Sequence, residues 1–189
     1  KLINGVLRSY IRGGKDLEEV LSEHESYCYN HPQWFISKLS NHWPDLWQDI
    51  LAANDPQAAL TLRVNTSKIN RDDYVAALTE AGHSAKKCQY SDVGVQLDKP
   101  SDVIKLPGFE EGWFSVQDEA PQLCTQMLEL SPSLHVLDAC AAPGGKTCHL
   151  LEAQDMSVVA VELEERRIQR MEDNLFRMDL QAEIICADA

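Results

Sequence analysis

The sequence predicts an α/β protein in which the last third of the chain builds a parallel sheet. Three apolar runs there each end in an acidic residue, and a helical pattern follows the first two. These runs are 134–138, ending at Asp138, 157–162, ending at Glu162, and 183–188, ending at Asp188. Short apolar strands that alternate with helices are typical of βαβ units, whose strands are parallel.

A stretch of small residues follows the first of these runs. Residues 138–147, Asp-Ala-Cys-Ala-Ala-Pro-Gly-Gly-Lys-Thr, are called the glycine loop here, and their central part, residues 141–145, has almost no side-chain bulk. Pro143 fixes one φ angle, whereas Gly144 and Gly145 let the backbone take any φ and approach a ligand closely. The first N–H groups of the next helix would point at that ligand. The stretch therefore predicts a cofactor-binding loop.

The end of the glycine loop, Gly145-Lys146-Thr147, is also the ending of a phosphate-binding P-loop. A P-loop has a glycine five residues before Gly145, where this sequence has Cys140. Pro143 also removes an N–H group that a phosphate cradle uses. A P-loop-like nucleotide-binding protein stays an alternative that both differences disfavour, and the dinucleotide fingerprint G-x-G-x-x-G is absent.

The acids at the strand ends favour a nucleoside ligand. A carboxylate at the tip of the second strand, here Glu162, can accept hydrogen bonds from both ribose hydroxyls. Asp188 is either a further ligand-facing acid or a turn residue. S-adenosylmethionine has ribose and adenine but no phosphate. It therefore suits a site that has acidic residues at the strand ends and lacks a phosphate-binding loop.

These residues carry a resemblance to a known family. The glycine loop is similar to the cofactor motif of the RNA cytosine-5 methyltransferases, and most of all to the bacterial 16S ribosomal RNA type, the Fmu/Sun family. Shorter stretches agree: Leu-Arg-Val-Asn (62–65), Leu-Pro-Gly-Phe (106–109) and Val-Gln-Asp (116–118). The resemblance covers nearly the whole chain. It implies the front half of a Rossmann-like class I methyltransferase sheet, preceded by a small α/β unit and N-terminal helices.

The resemblance further implies three parts and an activity. Residues 1–58 would be the end of an upstream RNA-binding helical domain with linker helices, and residues 59–118 a small α/β subdomain that helps hold RNA. Residues 119–189 would be the N-terminal half of an S-adenosylmethionine-dependent methyltransferase domain. The parent protein would methylate cytosine C5 in small-subunit ribosomal RNA in the cytoplasm. A non-catalytic RNA-binding module with this fold is a further alternative.

Carried over residue by residue, the resemblance implies a cofactor site. Its members are Cys140, Ala141, Ala142, Pro143, Gly144, Gly145, Lys146, Glu162 and Asp188. Glu162 would accept the ribose hydroxyls, and Asp188 would face the adenine amino group. Lys146 would either neutralise the methionine carboxylate or hold the loop.

The expected chemistry places the nucleophile outside this chain. Methylation of cytosine C5 needs a thiolate that adds at C6, and the resemblance implies that its cysteine comes after Ala189. No catalytic residue is therefore assigned, and the fragment is expected to be inactive alone. Without a fourth strand, we expect the free edge of the first parallel strand to pair with another chain, to be covered otherwise or to be poorly ordered.

Composition sets further limits. The net charge is −13, and residues 119–189 alone carry 13 acidic and 5 basic residues, so the sequence shows no basic RNA groove. The cysteines form no C-x-x-C pair and the histidines no H-x-x-x-H pair, which predicts no metal site and free, partly buried thiols. Cys186, inside a predicted strand, is expected to be buried. No apolar run is long enough to span a membrane.

The preceding segments are predicted from local patterns. An apolar stripe predicts a helix over residues 2–12, ended by Gly13 and Gly14, and a helix or linker follows over residues 15–30. Strands are predicted at 60–64, 93–97 and 113–116. Asn70 and Asp118 are expected to cap the helices that follow them. The helix after Asp118 is expected to reach Leu128.

Arg63 is a polar member of the predicted strand at 60–64. Its positive charge suits a contact with RNA phosphate. A solvated strand face and an internal ion pair with an acid are equally compatible with the pattern.

Overall fold

The computed structural model describes residues 2–189, apart from the side chains of residues 15 and 16, and it contains two compact units, Lys1–Gln57 and Ala58–Ala189. The first unit is helical. Its helices are α1 (Leu2–Leu21), α2 (Glu25–Cys28), α3 (Gln33–His42) and α4 (Trp47–Asn54). Ile36, Leu39 and Leu51 form its buried core.

Helix α1 consists of two helical segments. The first is interrupted at Gly13 (φ −143°, ψ 18°), where the sequence predicts its end, and the second continues to Leu21. Glycine permits such a local break, and the helix formers Leu17, Glu18 and Glu19 resume the helix after it. Within residues 2–189, we find no helix that is both long and apolar enough to cross a membrane.

The second unit begins with a four-stranded antiparallel sheet. Its strands are β1 (Leu60–Val64), β2 (Ala85–Lys87), β3 (Gly94–Leu97) and β4 (Phe114–Val116), in the order β2-β3-β1-β4. Helix α5 (Arg71–Glu80) contributes the buried side chains of Tyr74 and Leu78 to the core of this sheet. Strand β2 was not predicted, since two of its three residues are lysines, which are depleted in strands.

Strand β1 is buried on both of its faces. Leu62 and Val64 lie in the core with α5, and Thr61 and Arg63, which alternate with them, are also buried. In register, Leu62 pairs with Val95 of β3 and Val116 of β4. Because β1 is a central strand, the side chain of Arg63 is shielded from solvent.

A three-stranded parallel sheet completes the second unit. Its strands are β5 (His135–Asp138), β6 (Ser157–Glu162) and β7 (Glu183–Cys186), in the order β5-β6-β7, with α7 (Gly145–Ala153) and α8 (Glu165–Met178) as connections. The predicted alternation of strand and helix is confirmed. Met171, Leu175 and Met178 of α8 are buried against this sheet. Strand β5 pairs with β6, and Leu137 on it is 63% exposed, so the cover of this edge by another chain stays a prediction.

Three local predictions differ from the structure. Helix α6 covers only Glu119–Gln122, and a 3-10 turn at Thr125–Met127 follows it. Asp118 occupies the N-cap position of α6, but its side chain makes no capping hydrogen bond. Cys186 is exposed and not buried, because β7 lies at the edge of the described sheet.

Candidate cofactor site

The glycine loop is fixed to the ends of the parallel strands by hydrogen bonds. The N–H of Ala141 donates to the carbonyl of Val161 at 3.0 Å, and the N–H of Gly144 donates to the carbonyl of Ala141 at 2.7 Å. The hydroxyl of Thr147 donates to the carboxylate of Asp138 at 2.7 Å. The acid at the end of β5 thus closes the loop onto the first turn of α7.

Gly144 is required by the fold itself. Its φ angle is +90°, and a Cβ atom at this position would lie 2.8 Å from Cγ of Met171. The sequence interpretation attributed this glycine to the close approach of a ligand, whereas the structure shows that its missing side chain makes room for α8. A Cβ at Gly145 would meet no atom closer than 3.7 Å.

Helix α8 holds two carbonyl groups of the glycine loop. Arg167 Nη2 donates to the carbonyl of Ala142 and Asn174 Nδ2 donates to that of Pro143, each at 2.8 Å. The sequence analysis did not identify Asn174. The seven-residue spacing of Arg167 and Asn174, two turns of one helix, is a signal that they share a face.

Glu162 lies beside the glycine loop and is buried, with 4% of its surface exposed. Its Oε1 accepts hydrogen bonds from the N–H of Glu164 at 3.2 Å and from Arg167 Nη1 at 3.1 Å, and its Oε2 accepts one from the N–H of Ala142 at 3.2 Å. The N–H of Glu164 and then that of Ala142, together with the Arg167 charge, lower the pKa of Glu162 below its ordinary value. A carboxylate has about four acceptor positions, so Oε2 keeps one free.

The predicted site residues are divided among neighbouring clefts. Cys140, Glu162 and Asp188 line one cleft of about 250 Å³, together with Ala139. Pro143, Gly144 and Gly145 line a separate cleft of about 230 Å³. Glu162 therefore touches the glycine loop at Ala142 but does not share a cleft with its glycines.

Lys146 lines a third cleft, of about 170 Å³, with Asp138 and Ala139. Ala139 borders both this cleft and the one that contains Glu162. Ala141 and Ala142 are buried, 5% and 6% exposed, and serve the loop through their backbone. The structure thus brings Glu162 and Asp188 to one cleft and Lys146 to another, and Ala139 lines both.

The N–H groups of the loop argue against a phosphate ligand. Those of Ala141, Ala142 and Gly144 donate to groups of the protein itself, and Pro143 has none. The geometry therefore disfavours the P-loop alternative.

Arg63 does not face solvent, and the predicted contact with RNA is wrong. The side chain is fully buried, and its Nε and Nη2 donate to both carboxylate oxygens of Glu152 at 3.0 and 2.6 Å. Its Nη1 donates to Gln117 Oε1 at 2.7 Å and to the carbonyl of Gly145 at 2.5 Å. Burial raises the pKa of Glu152, which the charge of Arg63 opposes. The alternative of an internal ion pair is confirmed.

Two titratable residues of α7, Cys148 and His149, are buried. Burial, with the charge of Arg63, lowers the pKa of His149 to about 3, and burial raises the pKa of Cys148 to about 11. His149 is therefore neutral, and Cys148 is a thiol that is not poised as a nucleophile. No group of three or more His, Cys, Asp or Glu that could hold a metal ion occurs in the part of the chain that the structure describes.

Family models match most of the second unit and part of the first. A model described as "Methyltr_RsmF/B-like, ferredoxin-like domain" matches residues 31–104, and one described as "16S rRNA methyltransferase RsmB/F" matches residues 125–189. Curated relatives named ribosomal RNA small subunit methyltransferase B match over the whole chain: 48% identity in Pseudomonas putida and 42% in Vibrio cholerae. The chain spans 44% of the length of each of them.

Solved structures share the fold. A methyltransferase homolog protein from Pyrococcus horikoshii is 25% identical with a TM-score of 0.70, over 87% of this chain and 54% of that one. NSun6 from the same organism is 17% identical with a TM-score of 0.71, over 83% of this chain and 65% of that one, and shows the fold alone. With the fold, the glycine loop and the curated relatives in agreement, the chain belongs to the RsmB/F family of 16S ribosomal RNA methyltransferases.

Proposed function

We propose that this chain binds S-adenosylmethionine and that its parent protein methylates cytosine C5 in small-subunit ribosomal RNA in the bacterial cytoplasm. One observation carries the proposal: the ionised Glu162 at the end of β6 opens onto a cleft that Asp188 and Cys140 also line. Open α/β sheets bind ligands outside the carboxyl ends of their strands.

The adenosine part of the cofactor fits the cleft of Glu162. The free acceptor position on Oε2 takes one ribose hydroxyl. A second hydroxyl bonds to Oε1 by replacing its hydrogen bond with Arg167, whose side chain is 45% exposed and can turn to solvent. Asp188, exposed at the same cleft, accepts a hydrogen bond from the adenine amino group.

The methionine part of the cofactor extends past Ala139 towards Lys146. Ala139 borders both clefts, and we propose that an extended ligand passes along it to the Lys146 ammonium. That ammonium pairs with the ligand's carboxylate. The remaining proposed positions, Cys140 to Gly145, shape this path through the loop backbone.

The bound cofactor supplies an electrophilic methyl group on a sulfonium. Cytosine C5 becomes nucleophilic only when a thiolate adds at C6. C5 would then attack the methyl group and S-adenosylhomocysteine would leave, after which a base removes the C5 proton and the C6–S bond breaks to release the thiolate. We assign no thiolate within these residues and place it in the part of the parent protein beyond them. We also propose that residues 59–118 and the helices of residues 1–58 hold the RNA.

Titration calorimetry with S-adenosylhomocysteine and with ATP tests cofactor binding by this chain. We expect binding of S-adenosylhomocysteine and none of ATP. Glu162→Gln should weaken that binding by roughly tenfold or more, because hydrogen bonds to a charged group are worth about 1.5–3 kcal/mol. Glu172→Gln, the same change at an exposed site on α8, should leave the affinity unchanged. Binding of ATP without S-adenosylhomocysteine would overturn the proposal.

Methyl transfer is tested with a protein of the curated relatives' length. Unmethylated small-subunit RNA is incubated with labelled S-adenosylmethionine, digested to nucleosides and analysed by mass spectrometry. We expect 5-methylcytidine. Cofactor binding without any methylated nucleoside would favour the non-catalytic RNA-binding module.

A further inference from the structure

We propose that Arg63 of the antiparallel sheet is a positioning residue that sets the glycine loop for the methionine end of the cofactor. The inference rests on the proposed function and deepens it. The observation that supports it is a hydrogen bond of 2.5 Å from Arg63 Nη1 to the carbonyl of Gly145. Gly145 is the residue directly before Lys146.

The guanidinium of Arg63 holds α7 at both ends. Gly145 is the first residue of this helix, and Glu152 is the last but one. Both carboxylate oxygens of Glu152 accept hydrogen bonds from Arg63, while Gly145 accepts a third. A planar group with donors in fixed directions fixes the orientation of what it binds, which a lysine could not do. The place of α7, and of the loop before it, is thereby tied to β1.

Stability alone does not account for this pair. Arg63 is fully buried and the side chain of Glu152 is 3% exposed, so both charges have lost their hydration. Replacing a buried ion pair with apolar residues of similar volume is often neutral or stabilising. The fold could therefore dispense with the pair, whereas apolar side chains could not hold the carbonyl of Gly145.

Loss of the hydrogen bond between Arg63 and Gly145 should affect the binding of only one end of the ligand. Lys146 follows Gly145 and lines the cleft that we assign to the methionine carboxylate, whereas Glu162 and Asp188 line the cleft of the adenosine. Release of the Gly145 carbonyl should thus weaken ligands that carry the carboxylate and spare those that do not. 5′-Methylthioadenosine keeps the adenosine and lacks the amino-acid end of S-adenosylhomocysteine.

The test uses the 189-residue chain with the double variant Arg63→Met/Glu152→Met. Removing both charges avoids an unpaired buried charge but leaves Gln117 Oε1 without its donor, so we expect the double variant to lower the thermal midpoint less than Arg63→Met alone does. The double variant should bind S-adenosylhomocysteine roughly tenfold more weakly, with the affinity for methylthioadenosine changed less than about twofold. Equal effects on both ligands, or no effect on either, would overturn the proposal.

Arg177→Met is the matched control. Arg177 lies on α8 and donates to the carbonyls of Phe109 and Phe114. It lines the cleft of Pro143, Gly144 and Gly145 but donates to no carbonyl of the glycine loop. Its loss should lower the thermal midpoint without a selective loss of S-adenosylhomocysteine. A selective loss equal to that of the double variant would show that the effect is not specific to Arg63.

Hydrogen exchange of the ligand-free chain separates this inference from the proposed function. Amides of residues 140–148 should exchange faster in the double variant, while those of β6 should not change. If the wild type binds neither ligand, the proposed function fails and this readout alone decides the positioning role. Unchanged exchange of residues 140–148 would contradict that role.

Discussion

Glu162 and Ala142 are joined by a 3.2 Å hydrogen bond from the N–H of Ala142 to the carboxylate of Glu162. The acid at the tip of β6 therefore holds the glycine loop and also lines the cleft that we assign to the adenosine. Loop order and the proposed ribose contact depend on one carboxylate.

Substitution of Glu162 should change the pH dependence of stability. Because its pKa is lowered in the folded chain, ionised Glu162 stabilises the fold above its ordinary pKa of 4.5, and this contribution is lost as the pH falls through the lower folded value. Urea unfolding should show wild type more stable than Glu162→Gln at neutral pH, with the difference shrinking below pH 4.5. For Glu172→Gln we expect a small difference from wild type at neutral pH. A difference for Glu162→Gln that does not vary with pH would contradict the prediction.

Alanine substitutions at the two loop glycines should have opposite consequences. Gly144→Ala should destabilise the chain by about 2 kcal/mol or more, because a φ of +90° is unfavourable for alanine and its Cβ would lie 2.8 Å from Met171. Gly145→Ala, in the helix with no atom closer than 3.7 Å, should be neutral or stabilising by up to about 1 kcal/mol. Urea unfolding of both variants measures this, and equal losses would show that the φ at Gly144 is not decisive.

His149 should make the chain sensitive to mild acid. The pKa of His149 is about 3 in the folded chain, against an ordinary value of 6.5 that applies to the unfolded chain. As the pH falls below 6.5, the unfolded chain therefore takes up a proton at this residue that the folded chain does not, and the folded chain loses stability. Between pH 7 and 5 the loss should be about 2 kcal/mol. His149→Gln should lack this component in urea unfolding. His135→Gln, at an exposed position on β5, should retain it.

The two expected helix caps, Asn70 and Asp118, should contribute different amounts to the free energy of unfolding. Asn70 Oδ1 accepts a hydrogen bond from the N–H of Asp73 at 2.9 Å, so Asn70→Ala should cost about 1 kcal/mol. Asp118 occupies an N-cap position without such a bond, and Asp118→Ala should cost less than about 0.5 kcal/mol. Thermal unfolding of both variants provides the measurement. A larger loss for Asp118→Ala would mean that its carboxylate caps α6 after all.

Local patterns were sufficient for the parts of the fold that depend on neighbours in sequence. The strands β5, β6 and β7, the loop after β5 and the Asn70 cap all follow from periodicity, small residues or a capping side chain within a few positions. The predictions that failed include a lysine-rich strand that was not predicted and a cysteine that lies exposed on an edge strand. Both are decided by packing, which overrides local propensity.

By itself, the sequence determined that parallel strands end in acids around a loop of small residues, because strand period and glycine content are properties of contiguous residues. Only the tertiary structure decided which groups meet there. Arg63 lies 82 residues from Gly145, and Asn174 lies 31 from Pro143. A charged residue in a strand is compatible with water, RNA or an acid until the fold buries it, and burial leaves only the partner that satisfies its hydrogen bonds.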